Sequence, residues 1–185
     1  MNQDTYNKQV DFRAKQIVQK KIELGVSGLW DLNALLATDS NESQIVEIVR
    51  KSLSDQTEGG GGQPAGGPFH VFPCGALIAR WSDKLPEEAV EIIKNFMTAG
   101  VLERGNTENH WLMFYVGSLL AAEHWPDIDR MWNDLSPEAN RREATRWILG
   151  MIERTAINGH HEYDSPQYHT AVSYTHLTLP TSDLV

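Results

Sequence analysis

Two short stretches carry the side chains best suited to chemistry. In the first, Glu108-Asn109-His110-Trp111, a carboxylate, an amide and an imidazole follow one another directly after Thr107. The second runs from His160-His161-Glu162-Tyr163 through Tyr168 and His169. An imidazole titrates near neutrality and can take up or release a proton at working pH, so His110 is a candidate general base. Two carboxylates flanking a glycosidic bond can act as donor and base in hydrolysis, a role open to Glu108 and Glu162. His160, His161, Glu162 and His169 also raise the question of zinc. Adjacent histidines project differently and no HExxH or CxxC spacing is present, so no metal and no cofactor are expected.

A helix must position the first stretch. Thr107 reads as an N-cap whose hydroxyl accepts from a free first-turn N–H, and Glu108 sits at the positive end of the helix dipole. Asn109 and His110 then fall in the first turn, within reach of a cleft. Leu112, Met113, Val116, Leu119 and Leu120 recur at three- and four-residue spacing and tie the helix to a core. It runs to about His124, where Trp125-Pro126 breaks it. A second reading has Asn109 and His110 satisfy backbone groups at a buried helix end, as capping residues do, and the sequence leaves both open.

The rest of the chain also reads as helix. Apolar spacing predicts helices over residues 4–24, 42–53, 76–81, 86–98 and 137–157, a short turn at 30–36, and a short helix around Ile128, Met131 and Trp132. Phe69-His70-Val71-Phe72 reads as a brief extended piece. Ser165-Pro166 looks like a further helix start. The glycine-rich stretch 58–68 is expected to be a loop, because glycine's entropy cost and proline's missing N–H disfavour regular structure. No Gly-Lys-Ser/Thr follows it, which sets a phosphate-binding reading aside. No alternating strand appears, so the expected class is all-α, with antiparallel helical pairs.

Composition narrows the function classes. With 185 residues, 41% of them hydrophobic, the chain can build one ordinary core. Six tryptophans favour burial over sugar stacking. A net charge of −9 argues against nucleic acid, since no segment supplies a basic stripe, whereas an acidic polysaccharide needs only a local basic patch. Cys74 is the single cysteine, so no intrachain disulfide forms, and its apolar neighbours mark a packing thiol. No signal peptide and no membrane span are read, so a cytoplasmic location is expected.

The first stretch, Thr-Glu-Asn-His-x-Leu-Met before a small and apolar helix, and the second, Gly-x-x-Glu-x-x-Ser-Pro-x-Tyr, together resemble paired motifs of carbohydrate-active α/α-toroid proteins, the alginate- and heparin-lyase-like group. The resemblance covers roughly residues 100 to 170. It implies a ring of inner and outer helices, with a polysaccharide cleft where helix starts converge. It also implies β-elimination on a uronate: Asn109 hydrogen-bonds the sugar carboxylate and His110 removes the adjacent carbon-bound proton. Tyr163 and Tyr168, by proximity, are candidates for the acid. Glu108, Trp111, Glu162 and His169 are the expected substrate contacts. One departure from that pattern is the lack of a clear basic cluster for an acidic polymer. A glycoside hydrolase on the same fold is the alternative, and a non-catalytic helical repeat or scaffold, which would show no polar convergence, is another. Residues 172–185 resemble the translation of a sequencing-library adapter found at the ends of reading frames from metagenomic assemblies. They imply a toroid domain over 1–171 that natively continues, followed by a non-native tail.

Overall fold

A computed structural model of the chain describes residues 2–38, 41–54 and 66–159. Among these residues the regular structure is helical: α1 (Gln3–Leu24), a 3-10 turn (Leu29–Asp31), α2 (Leu32–Leu36), α3 (Glu42–Ser54), α4 (Pro68–Trp81), α5 (Glu87–Ala99), α6 (Glu108–His124) and α7 (Pro137–Asn158). One contiguous apolar core links the elements from the 3-10 turn to α7. Phe72, Leu77 and Ile78 of α4 and Leu112, Met113 and Leu119 of α6 are fully buried in it. Each such side chain contributes about 1.5–3 kcal/mol relative to leaving it in water.

The centre of the fold is the crossing of α4 and α6. A Cβ on Gly117 would lie 2.5 Å from the Val71 carbonyl oxygen, and one on Gly75 would lie 2.5 Å from the Gly117 carbonyl oxygen. The two backbones therefore touch, and only glycine fits at either position. Phe69 meets His110 at one end of this crossing and Gly75 meets Gly117 further along, so the two helices run in the same direction. Helix α7 runs the opposite way to α6, because Trp111 pairs with Trp147 while Tyr115 reaches back to Glu143. The expected antiparallel pairing thus holds for α6 and α7, whereas α4 and α6 are parallel. Helix α3 lies against α5, and Arg50 is ion-paired with Glu88 between them.

Helix α4 departs most from expectation. It is continuous from Pro68, which begins the helix instead of ending a loop, and it carries Pro73 inside it. Pro73 cannot donate to the Phe69 carbonyl, a loss that normally disrupts a helix. Here that carbonyl accepts from Trp30 Nε1 at 3.1 Å. Residues 69–72 are therefore helical, not extended, because a side chain from the preceding turn supplies the missing donor. Asn33 Oδ1 accepts from Trp81 Nε1 at 2.9 Å, so α2 is tied to the other end of α4.

Three smaller differences have local causes. Residues 126–136 form turns and bends instead of a short helix. Met131 N–H donates to Leu135 O, Asp134 N–H donates to Met131 O, and Asp134 adopts a left-handed φ of 60°. Helix α5 begins one residue after Pro86, which is its N-cap. Helix α1 forms where its spacing predicts, yet none of its residues is buried.

Candidate functional site

Thr107 caps α6 with an extended backbone, but its hydroxyl does not bond a first-turn N–H. It donates to Asn109 Oδ1 instead. The predicted capping bond is thus replaced by one that fixes the orientation of the Asn109 amide. Asn109 is fully buried, and its Nδ2 has no hydrogen-bond partner among the described residues. Such an unpaired buried donor costs about 1–3 kcal/mol, so the position is not explained by stability.

His110 is buried beside it, 7% exposed, with its ring edge-on to Phe69 at 5.2 Å. The loop before α6 closes over the imidazole at Gly105. There φ is +76°, and a Cβ would come within 2.9 Å of His110 Nδ1. Gly105 meets both a left-handed backbone and a close approach, and other residues fit neither. His110 therefore lies beneath the loop at Gly105, and Asn109 precedes it in the same first turn. Glu108 is half-buried in the same first turn.

Trp111 faces outward. Its Nε1 donates to Gly105 O at 3.0 Å, and the Arg104 guanidinium lies over its ring at 4.2 Å. Trp147 of α7 meets Trp111 edge-on at 6.1 Å and stacks on Tyr115 at 4.7 Å. The Tyr115 hydroxyl sits between Arg104 Nη1 and Glu143 Oε1, 3.4 Å from each, which are long contacts. The result is a half-buried pair of indoles, Trp111 and Trp147, set edge to face, with an exposed guanidinium over the Trp111 ring. Arg104 is a single cation beside this pair and does not make a basic cluster.

Arg104, Tyr115, Glu143 and Trp147 were not among the expected site residues. A signal existed, since Trp111 and Tyr115 on α6 and Glu143 and Trp147 on α7 each stand four apart and share one helix face. Glu162, Tyr163, Tyr168 and His169, like His160 and His161, lie outside the described residues, as do the tail 172–185 and most of the glycine-rich loop.

Other candidate chemistry is absent from this part of the molecule. Burial pushes the Cys74 thiol well up, which keeps it protonated and inert. Among the described residues no three His, Cys, Asp or Glu side chains are grouped to hold a metal ion, and no helix is long and apolar enough to cross a membrane. A groove of about 960 Å³ lies elsewhere, between α1 and the Trp30 and Trp81 side chains. No protein-family model matches the chain, and no curated protein or solved structure matches it.

Proposed function

We propose that this protein acts on a uronate-containing polysaccharide, cleaving it by β-elimination at the start of α6, within a ring of inner and outer helices. The observation that carries the reading is the buried Nδ2 of Asn109, without a partner among the described residues, beside the imidazole of His110 and next to Arg104, Trp111 and Trp147. A guanidinium matches the geometry of a carboxylate. Asn109 Nδ2 is then the donor that neutralises the uronate carboxylate, and this use accounts for a group that the fold alone leaves unsatisfied.

The reaction follows from these roles. His110 takes the proton from the carbon beside the carboxylate, the electron pair forms a carbon–carbon double bond, and the glycosidic carbon–oxygen bond breaks. The leaving oxygen takes a proton from Tyr163 or Tyr168, candidates by their proximity in the sequence that lie outside the described residues. Substrate reaches His110 when the 103–106 segment moves aside. Support for the ring comes from helix order: α4 packs in parallel on α6 and α3 lies on α5, so neighbours within a layer are two elements apart.

Uronate polymers and neutral glucans, incubated with the full chain, test this directly. Elimination creates an ultraviolet chromophore conjugated to the carboxyl group, which hydrolysis does not. Uronate polymers are expected to bind and yield absorbance, and neutral glucans neither. Asn109→Ala and His110→Ala should each lower the rate on the order of a hundredfold. Arg104→Ala should weaken uronate binding about tenfold, the loss of one charge-assisted contact. New reducing ends without absorbance would make the activity hydrolytic. Equal binding of neutral and uronate polymers would remove the reading altogether.

A further inference from the structure

A second, smaller cavity of about 160 Å³ lies between α6, α7 and the 131–136 turn, about one helical turn from Trp111. We propose that it binds a small hydroxylated organic cation, an amino alcohol of the choline class. Its volume equals about five waters at ~30 Å³ each, which suits a compact amine and excludes a sugar polymer.

The walls argue for a cation. Phe114 and Trp132 meet at 5.7 Å and 89°, and Phe114 and Tyr115 at 5.5 Å and 85°, so perpendicular aromatic rings form a corner. Glu143 places a carboxylate on the same lining, and no lysine or arginine shares it. Aromatic faces with a nearby carboxylate are the recognised surroundings for alkylated ammonium groups. Arg104, whose Nη1 lies 3.4 Å from the Tyr115 hydroxyl, stands outside the lining, so the charge on the cavity wall is that of Glu143.

The hydroxyl of the ligand is read from Ser118. This side chain is 2% exposed, lines the cavity, and its Oγ has no hydrogen-bond partner among the described residues. A buried hydroxyl without a partner calls for one, and a ligand hydroxyl at this wall supplies both donor and acceptor. The other buried amide at the cavity is already committed: Asn140 and Asn133 hydrogen-bond each other in both directions, at 2.9 and 3.1 Å, and act as wall. The cavity shares Tyr115 and Glu143 with the Arg104 contacts of the candidate site, but not Asn109, His110 or Trp111.

Titration calorimetry of the full chain with three probes tests the assignment. Choline carries both features, tetramethylammonium only the charge, and 3,3-dimethyl-1-butanol only the shape and hydroxyl. Choline is expected to bind saturably, and the neutral isostere about tenfold or more weaker. Ser118→Ala should weaken choline several-fold and leave tetramethylammonium unchanged, while Glu143→Gln should weaken both cations. Circular dichroism confirms that each variant is folded, and Ser118→Ala removes a single oxygen. Absence of saturable choline binding, equal affinity for the neutral isostere, or unchanged choline affinity in Ser118→Ala would each overturn the proposal.

Discussion

Helices α1 and α6 sit at opposite extremes of burial. Helix α6 buries thirteen of its seventeen residues, and α1, at 22 residues, buries none. Both have apolar residues at helical spacing. The difference lies on the far face: α6 continues with Ala, Gly, Ser and Phe where a surface helix would carry charge, whereas α1 carries Lys, Gln, Arg and Glu. An apolar circumference marks a helix that is enclosed on all sides. A single apolar stripe marks only that one side can be covered. Tyr6, Val10 and Ile17 on one side of α1 remain 46–69% exposed, so here the stripe is not covered by the described residues, and Phe12, 62% exposed, projects from the other side.

The largest effect that separates the two regions is expected at the α4–α6 crossing. Gly117→Val would drive a side chain into the Val71 carbonyl and the Phe72 Cα, at 2.5 and 2.8 Å. Overpacking in a core costs about 1–3 kcal/mol when side chains can yield, and here the obstacle is backbone, so the loss should exceed that range. Denaturant unfolding should show either no folded baseline or a large drop in midpoint. A midpoint within about 1 kcal/mol of the parent would mean that the helices do not touch as described.

A smaller effect is expected from pH at the Phe69 end of the same crossing. His70 is half-buried in α4, with Nδ1 lacking a partner among the described residues, and burial lowers its pKa from 6.5. The folded state then binds a proton less readily than the unfolded chain. The stability tied to neutral His70 is complete above the unfolded pKa and is lost as pH falls through the depressed folded value. His124 at the end of α6 is lowered by burial too and adds in the same direction. Unfolding midpoints followed from neutral to mildly acid pH should fall, and His70→Gln should flatten the slope. An unchanged slope in His70→Gln would show that the group is solvated in both states.

These contrasts also mark what the sequence made legible. Helices α1, α3, α5, α6 and α7 follow from apolar spacing, with Pro137, Gly25 and Gly159 as their punctuation. Of α4 only the second half, 76–81, does, because Pro73 argues against the first half locally and the donor that completes it, Trp30, lies 39 residues before Phe69. The turn at 126–136 was misread because three apolar residues suggested a helix, while the bonds that fix it run among Met131, Asp134 and Leu135. At the candidate site, Asn109, His110 and Trp111 were legible as types and spacing. The burial of His110 was not, since it depends on Gly105 and Phe69 packing against it. Arg104 was missed because its partner, the Trp111 ring, is seven residues on and across a turn.

The smallest effect is expected in α1, and it is the sharpest test of the comparison because the residues are large and apolar. Phe12 and Ile17 are 62% and 69% exposed, so replacing them by serine removes little buried area and leaves no cavity. Phe12→Ser and Ile17→Ser should each change stability by no more than about 0.5 kcal/mol, the range of ordinary surface substitutions. Leu112→Ala in α6, at a fully buried position, should cost about 2–5 kcal/mol under the same conditions. Urea unfolding of the three variants at two protein concentrations reads the contrast directly. If the α1 variants lose as much as Leu112→Ala and the loss grows with protein concentration, a second chain covers the stripe in solution. A loss of that size independent of concentration would place α1 against its own chain, and the difference between the two helices would disappear.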